Sequence, residues 1–269
     1  MTQSVLEATD LQMEYVHPRT GRSVVAIDKL DMVVDPQQFV TIVGPSGCGK
    51  STFLKIANGL LTPTEGQITI YGEDVSRAPR NRGAVFQDAS LLPWFTVIHN
   101  AAYGLQCQGV SKEEAMERAL PVLEMVGLKG FEDVYPHELS GGMQQRVNVA
   151  RALAVDPEIL LMDEPFAALD AQTRELMQRE LLEIWGQSNK TVLFVTHQID
   201  EAVYLSDRVL VMSARPGRLI ADITVDIPRP RDLRVKRDPR FVELVGQVWD
   251  LLHSPDESLV DRERHNDND

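Results

Sequence analysis

The stretch "GPSGCGKST", residues 44–52, restricts the possible folds of this chain more than any other segment. It follows "FVTIV", an apolar run of the kind that forms buried parallel strands, and it leads into "KSTFLKIANGL", which has the pattern of a helix. Gly44, Gly49, Lys50 and Ser51 fill the spacing G-x-x-x-x-G-K-[ST]. The spacing predicts a strand, a tight loop and a helix N-terminus in immediate succession.

The chemistry of this loop suits an anion. Glycines allow backbone N–H groups to close around phosphates, the helix N-terminus adds partial positive charge, and Lys50 adds a full one. Ser51 can offer its hydroxyl to Mg²⁺. A plain strand-to-helix turn is the alternative interpretation. The residues expected to bind a nucleotide here are Gly44, Pro45, Ser46, Gly47, Cys48, Gly49, Lys50, Ser51 and Thr52.

Composition excludes several classes of protein. The 269 residues are 43% hydrophobic, which is enough to bury a core, and the formal net charge is -13. Because binding to a nucleic-acid backbone needs a basic face, we expect no nucleic-acid partner. Two cysteines, Cys48 and Cys107, are too few for a disulfide framework and favour a reducing compartment. The first residues, "MTQSVLEATD", do not have the basic and apolar pattern of a secretory leader, and no window has 18 uninterrupted apolar residues, so we expect any membrane role to depend on a partner.

The order of predicted elements indicates a doubly wound α/β core. Short β-rich runs precede Leu91, helical patterns fill residues 91–156, and the β/α alternation resumes after Pro157. Inside the helical stretch, Ser111 begins a helix in capping-box spacing, and Pro121 is expected to kink or break that helix. We expect one domain over residues 1–253, with the helical stretch as an insertion, and a disordered tail over residues 254–269.

A second polar pair follows a buried run. In "ILLMDEP", Asp163 and Glu164 come at the end of the apolar residues, so they are expected at the carboxyl edge of the sheet beside the phosphates. Asp163 is suited to hold Mg²⁺ through water, and Glu164 is suited to polarise an attacking water as general base. The alternative is that Glu164 caps a turn or pairs with an arginine.

A second glycine-containing helix start lies in "ELSGGMQQR", residues 138–146. Ser140, Gly141 and Gly142 are expected to form a helix N-terminus that is ready for an anion, or a simple helix cap. One compact chain cannot easily cradle the same phosphate with both loops, because this loop belongs to the helical insertion. We therefore expect a head-to-tail pair of chains, with each nucleotide between the Lys50 loop of one copy and the Ser140 loop of the other.

"LSGGMQQR" resembles the signature of the ATP-binding cassette (ABC) ATPases, and the resemblance extends over residues 6–253. It implies an α/β fold with a P-loop NTPase (RecA-like) core, an antiparallel β subdomain and an inserted α-helical subdomain. It also implies hydrolysis of ATP with Mg²⁺. "DPQQFV" departs from the family, which commonly has glycine and glutamate where Gln37 and Gln38 stand.

The resemblance assigns roles to further residues. Tyr15 is similar to the aromatic that stacks on adenine, although packing is the alternative for an aromatic in an early strand. Gln87 in "VFQD" resembles the Q-loop glutamine, which touches Mg²⁺ and the attacking water. His197 in "FVTH" resembles the switch histidine that holds the γ-phosphate, whereas an isolated histidine is more often structural. Asp170 in "AALD" resembles the D-loop aspartate, and Gln144 belongs to the nucleotide-facing signature.

Isolated cassettes of this family work in pairs beneath separate membrane subunits. "QDASLLPW" and "ARPGRLIADITVDIPRPRD" resemble the branch that serves nitrate, sulfonate and taurine importers, which implies a small anion as cargo. Residues 91–95 stand where the family receives a coupling helix of the permease, unless they only pack the insertion onto the core. The implied partners are a second copy, permease subunits and, indirectly, a substrate-binding protein, at the cytoplasmic face of the inner membrane. The alternatives are a soluble ABC ATPase acting on nucleic acid or ribosomes, and a non-hydrolysing regulator.

Overall fold

The computed structural model describes residues 3–76, 82–188 and 190–253, which form two β-sheets and the helices around them. Over those ranges no helix has both the length and the apolar composition that crossing a bilayer requires. The tail predicted for residues 254–269 lies outside the described residues. The strands are β1 (Leu6–Val16), β2 (Ser23–Val34), β3 (Phe39–Val43), β4 (Glu65–Ile70), β5 (Glu73–Asp74), β6 (Arg82–Val85), β7 (Ile159–Asp163), β8 (Thr191–Thr196), β9 (Arg208–Met212) and β10 (Leu219–Thr224).

The larger sheet brings the ends of its central strands to one edge. Its strand order is β10-β9-β3-β8-β7-β6, and every neighbouring pair except β10 with β9 is parallel. The register pairs Val43 with Thr196 and Asp163 with Val195. Because parallel strands in register end together, the segments that follow β3, β8 and β7 meet at the same carboxyl edge.

Both faces of this sheet are buried. In β3, Phe39 and Val43 face one apolar cluster, whereas Val40 and Ile42 face the other, as the two-residue period of a strand requires. One cluster contains α1 and strands of the smaller sheet, and the other contains α2 to α7. The helices are α1 (Lys50–Ala57), α2 (Val97–Cys107), α3 (Lys112–Met125), α4 (Gly141–Ala154), α5 (Ala171–Gly186), α6 (Ile199–Leu205) and α7 (Pro239–His253).

The smaller sheet is the expected antiparallel subdomain, with strand order β2-β1-β4-β5. The turn from β2 into β3 contains Gln37, which stands where the ABC family commonly has a glycine. This residue has a φ of 63°, in the left-handed region that favours glycine, and its N–H donates to Thr191 Oγ1 at 3.0 Å. The turn thus keeps a glycine-type backbone with a glutamine in it.

The helical insertion consists of α2, α3 and α4, which lie between β6 and β7 in the chain. Ser111 caps α3 as predicted, because its Oγ accepts the N–H of Glu114 at 3.3 Å. Pro121 was expected to kink or break this helix, and the structure shows no break, since α3 continues through it to Met125. Pro121 lies on the exposed side, where water can satisfy the carbonyl that loses its partner, while the opposite side is buried through Ala115, Ala119 and Leu123.

Helix α4 is tied to the segment that follows β6. Asn148 Nδ2 and Gln145 Nε2 donate to the carbonyl of Phe86 at 3.1 and 3.4 Å. Arg151 Nη2 donates to the carbonyl of Ala89 at 2.8 Å. Asn148 is fully buried and Gln145 nearly so, and a buried amide without its partner would cost about 1–3 kcal/mol. These bonds therefore fix the path of the chain on both sides of Gln87.

Candidate nucleotide site

The loop at residues 44–49 connects β3 to α1 as the sequence predicted. Helix α1 begins at Lys50, and Gly49 precedes it with a φ of 105°. A Cβ on Gly49 would also stand only 2.8 Å from the carbonyl oxygen of Ala26. Gly47 has a φ of 77°. Glycine is required at Gly49 both for its backbone angle and for this close approach.

Lys50 is a buried cation at the start of this helix. Its side chain is 5% exposed, and Nζ donates to the carbonyls of Gly44 at 2.8 Å and Pro45 at 3.0 Å. Among the described residues, no carboxylate forms an ion pair with it. Buried charges are normally paired, so the position of this ammonium group fits a bound anion such as a phosphate.

A cavity of about 400 Å³ opens beside Lys50. Gly44 and Pro45 do not line it but line a neighbouring cavity of about 500 Å³. The side chain of Cys48 is buried in the core, and burial raises the pKa of its thiol, so Cys48 offers only its backbone to a ligand. The first cavity is lined by Tyr15, Val24, Ala26, Ser46, Gly47, Gly49, Lys50, Ser51, Thr52, Glu164 and Arg215.

Tyr15 forms one wall of this cavity near the end of β1. Its side chain is 42% exposed, and its hydroxyl lies 3.3 Å from Thr52 Oγ1. Tyr15 is therefore not packed in the hydrophobic core, which was the alternative interpretation. Its ring offers an aromatic surface at the same cavity that the loop at residues 44–49 lines, which is compatible with the predicted contact with adenine.

Ser51 and Asp163 supply oxygen atoms from two different elements. Ser51 Oγ donates to Asp163 Oδ1 at 3.0 Å, and burial raises the pKa of Asp163 while this hydrogen bond lowers it. Among the described residues, no group of three or more His, Cys, Asp or Glu side chains is arranged to hold a metal. Mg²⁺ commonly takes one or two protein oxygens and completes its shell with phosphates and water. The hydroxyl and carboxylate fit that mode, not an all-protein cage.

Glu164 faces the cavity from the end of β7. It has a φ of 44°, an uncommon angle for a residue other than glycine, and its N–H donates to the carbonyl of Val195 at 2.9 Å. Its Oε2 lies 2.8 Å from Nδ1 of His197. The partner of Glu164 is thus a histidine, not an arginine. Strained backbone of this kind costs about 1–3 kcal/mol and is concentrated at functional sites.

A buried acid that sequence reasoning missed supports His197. Thr196 Oγ1 donates to Glu201 Oε2 at 2.5 Å, and Gln178 Nε2 donates to Glu201 Oε1 at 2.9 Å. Glu201 is 3% exposed, and burial raises the pKa of its carboxyl. The signal in the sequence was an acid four residues after His197 on a short helix that is otherwise largely apolar. This network fixes the end of β8 and hence the position of His197.

Gln87 lies in the loop after β6 and is exposed. It does not line the cavity that contains Lys50 and Glu164. Its strand is the neighbour of β7, and Val85 pairs with Met162, so Gln87 extends from the same carboxyl edge. The structure brings Gln87 to this edge without placing it against the other predicted catalytic residues.

The remaining predicted residues lie at or near helix N-termini, where their polar side chains form hydrogen bonds with residues nearby in the chain. Ser140 Oγ accepts the N–H of Met143 at 3.3 Å, and Gln144 Nε2 donates to the carbonyl of Pro136 at 2.9 Å. The carboxylate of Asp170 accepts the hydroxyl of Thr173 at 2.7 Å, a bond that lowers the pKa of Asp170. We call Ser140, Gly141, Gly142, Gln144 and Asp170 the cap group, and none of them lines either cavity described above.

In contrast, Lys50, Ser51, Asp163, Glu164 and His197 meet at the carboxyl edge of one sheet, and we call them the sheet-edge group. Such a loop after β3, with acidic residues at the end of β7 two strands away in the same parallel sheet, is typical of a P-loop nucleotide hydrolase. The chain belongs to the ABC transporter family, whose sequence profile matches residues 27–167. The family hydrolyses ATP to drive transport, so the resemblance in the sequence is confirmed.

The relatives are similar over most of their length. An uncharacterized ABC transporter ATP-binding protein of Methanocaldococcus jannaschii is 56% identical over 86% of this chain and 86% of its own. The taurine import ATP-binding protein TauB of Rhizobium johnstonii is 48% identical over 89% and 93% of the two chains. The nitrate import ATP-binding protein NrtD of Synechocystis is 44% identical over 92% and 94%.

A solved structure supports the fold. The ATP-binding cassette MJ0796, in a dimeric post-hydrolysis state bound to ADP and Pi, superimposes with a TM-score of 0.73 at 32% identity. The match covers 83% of this chain and all of that chain. The predicted α/β fold, with its P-loop core, antiparallel sheet and helical insertion, is therefore confirmed.

Proposed function

We propose that this chain is the ATP-hydrolysing subunit of an ABC importer, with residues 1–253 forming a single ABC ATPase domain whose helical subdomain is about residues 91–156. The observation that carries the proposal is that Glu164 lines the same cavity as Lys50 and Ser51. A candidate base and a candidate phosphate cradle thus share one space, which hydrolysis of a phosphoanhydride requires.

In this proposal each member of the sheet-edge group has one task. Lys50 and the N–H groups of the loop hold the phosphates, and Glu164 polarises the attacking water. His197 holds the γ-phosphate and orients Glu164 through their 2.8 Å contact. Ser51, Asp163 and Gln87 would hold Mg²⁺, which neutralises phosphate charge when it is bound. Tyr15 contacts the adenine.

The cap group supports a second copy as partner. Ser140 and Gly141 are exposed at the start of α4, away from the cavity that contains Lys50. A helix N-terminus with free N–H groups attracts an anion, and within the described ranges no carboxylate accepts a hydrogen bond from the N–H groups of Gly141 or Gly142. We propose that ATP binds between the Lys50 loop of one copy and the Ser140 loop of the other, with Gln144 and Asp170 at that interface. The dimeric relative MJ0796 supports this arrangement.

Residues 91–95 are the proposed docking surface for a permease. Leu91 packs against the core, whereas Trp94 is 67% exposed. Asn100 is fully buried and holds the turn, because Nδ2 donates to the carbonyls of Leu92 and Phe95 at 3.1 and 3.0 Å. A rigid turn that presents an exposed indole suits a protein partner. Binding there would place the chain at the cytoplasmic face of the inner membrane, with a substrate-binding protein acting through the permease.

The relatives support a small anion as cargo. Two of them are named for the import of taurine and of nitrate, and their identity to this chain extends over about nine-tenths of it. Taurine carries a sulfonate, so both names point to compact oxyanions. We propose an anion of this class as the transported substrate.

A recruitment assay tests this proposal. Tagged chain should co-purify with a permease from detergent extracts, Trp94→Ala should reduce recovery by at least about tenfold if this indole is an interface hot spot, and ATP binding should stay unchanged. Trp249→Ala is the matched control, because Trp249 is 53% exposed on α7. Recovery of ribosomes or nucleic acid in place of a permease would favour the alternative class of soluble ABC ATPases.

A further inference from the structure

The turn between β9 and β10, residues 213–218, is packed against the phosphate loop. The N–H of Gly217 donates to the carbonyl of Ala26 at 3.0 Å, and its own carbonyl accepts the N–H of Asp28 at 3.1 Å. A Cβ on Gly217 would stand 1.9 Å from the carbonyl oxygen of Cys48. No side chain fits there, so Gly217 allows the turn to lie directly on residues 44–49.

Arg215 extends from this turn over the loop. Its Nε donates to the carbonyl of Gly47 at 2.9 Å, and its Nη2 is 2.7 Å from the point where a Cβ on Gly47 would stand. Arg215 is exposed and lines the same cavity as Lys50 and Glu164. Among the described residues, its guanidinium forms no ion pair and no second hydrogen bond, so the Nη donors remain available.

The charged residues that line the cavity show which positive group is accessible to a ligand. Lys50 and Arg215 are the cations among the lining residues, and Glu164 is the acid. Lys50 is buried with two of its N–H groups on loop carbonyls, so the accessible positive charge at the mouth belongs to Arg215. The chain has net charge -13, yet within the described ranges no carboxylate pairs with the guanidinium of Arg215, which is the group suited to bind phosphate.

We propose that Arg215 is a further nucleotide-contacting residue, which binds the phosphate chain of ATP and ADP through its Nη groups while Nε holds Gly47. This inference rests on the proposed function of the cavity. Guanidinium and phosphate form charge-assisted, often bidentate hydrogen bonds. The contact would also couple the turn after β9 to occupancy of the site, because Gly217 holds the same turn against Cys48 and Ala26.

The neighbouring Arg218 is a natural control. It belongs to the same turn, but it pairs with Asp28 on β2 and does not line the cavity. Arg215→Gln and Arg218→Gln remove one positive charge each, so they change the net charge of the chain equally. The amide in Arg215→Gln can still donate to the carbonyl of Gly47. Arg215→Lys keeps the positive charge but loses the two Nη groups that can bind a phosphate together.

The test is calorimetric titration of the purified chain with ATP and with ADP in EDTA, which prevents turnover. We expect Arg215→Gln to weaken both affinities by about five- to tenfold, Arg215→Lys to recover part of the loss, and Arg218→Gln to bind like the wild type. The loss caused by Arg215→Gln should shrink between 0.05 and 0.5 M NaCl, because salt screens an exposed contact.

Two results would overturn the inference. One is unchanged ATP and ADP affinity in Arg215→Gln with a lowered melting temperature, which would make Arg215 only a clamp on Gly47. The other is an equal loss in Arg215→Gln and Arg218→Gln, which would indicate a general field effect. Failure of the proposed function looks different, since the wild-type chain itself would then neither bind ATP nor hydrolyse it when Mg²⁺ is supplied.

Discussion

The sheet-edge group and the cap group both lie at helix starts or strand ends, but they differ in how far along the chain their hydrogen-bond partners are. In the sheet-edge group, two contacts join distant parts of the chain, Ser51 with Asp163 and Glu164 with His197, although Lys50 donates to carbonyls of its own loop. In the cap group, partners come from within a few residues, as when Ser140 accepts the N–H of Met143 and Asp170 accepts the hydroxyl of Thr173.

This difference indicates what each group can do alone. The parallel sheet fixes the relative positions of the sheet-edge group, so those residues are preorganised for a reaction before any ligand arrives. In the cap group, Ser140, Gly141 and Asp170 are exposed, and local bonds hold these residues in place without closing a cavity. The two groups therefore fit the proposal that one chain offers a preorganised half of the site and a second copy supplies the other half, with ATP stabilising the interface.

Glu164→Gln gives the largest expected effect, because it removes the base from the sheet-edge group and leaves both phosphate-binding halves intact. ATP hydrolysis should fall by roughly 10² to 10⁴, measured as phosphate release. ATP binding should persist, and gel filtration with ATP should show an accumulated dimer. Glu117→Gln, at an exposed position on α3, is the control. Wild-type turnover in Glu164→Gln would remove this residue from the mechanism.

Lys50→Ala weakens the preorganised half itself. The loss of a charge-assisted phosphate contact is worth about 1.5–3 kcal/mol, so ATP affinity should fall by about 10- to 100-fold in calorimetry. Lys55→Ala, which removes an exposed lysine from the same helix, should bind like the wild type. Equal affinity in both variants would mean that the buried ammonium group does not contact the nucleotide.

Mixing two inactive variants tests whether the halves come from different copies. Ser140→Arg should bind ATP through its own Lys50 but should not hydrolyse it, and Lys50→Ala should do neither. In an equal mixture, half of the dimers contain one intact composite site, so activity should recover to about a quarter of the wild-type rate if sites act independently. If mixed dimers form, for example by cross-linking, and remain inactive, the composite site is excluded.

The smallest effects concern stability, and their signs should be opposite in the two groups. Burial raises the pKa of Asp163 above its ordinary 3.8, so its ionisation opposes folding at neutral pH, and that cost is lost as the pH falls to 3.8. Asp163→Asn should therefore raise the melting temperature at pH 7.5 by about 2 °C, and less at pH 4.

The hydrogen bond from Thr173 lowers the pKa of Asp170, so its ionised form stabilises the fold at neutral pH, and this contribution is lost as the pH falls through the lowered value. Asp170→Asn should lower the melting temperature at pH 7.5. Thermal melts in EDTA, with each variant compared with the wild type at both pH values, measure the two shifts. Shifts of the same sign would contradict the contrast between the groups.

Most of the fold could be predicted because its signals are local. "FVTIV" and "TVLFVT" are apolar throughout and form strands buried on both faces, and the glycine-lysine spacing placed the start of α1 at Lys50. The break considered at Pro121 does not occur, because the cost of a proline in a helix depends on whether the carbonyl that loses its hydrogen bond can reach water, and the sequence does not state which face of the helix is exposed. That information exists only after α3 has packed.

The chemistry at the sheet edge followed from motifs, whereas its supporting contacts did not. The contact between Glu164 and His197 depends on β7 and β8 being neighbours, which no motif specifies. Glu201 and Arg215 were missed for the same reason. Each contacts residues in other elements of the fold, and no sequence motif links it to them. The roles assigned to the site residues, those of the sheet-edge group as well as those of Gln87, Ser140 and Gln144, remain predictions.

The bonds between α4 and the carbonyls of Phe86 and Ala89 have a mechanical consequence. Residues 140 and 151 are eleven positions apart, so at 1.5 Å per residue α4 holds them about 16 Å apart along its axis. One end carries Ser140, and the other is fastened by Arg151 beside the turn that presents Trp94. Because these bonds hold the turn against the helix, we expect a displacement of the turn to be transmitted along α4 to Ser140.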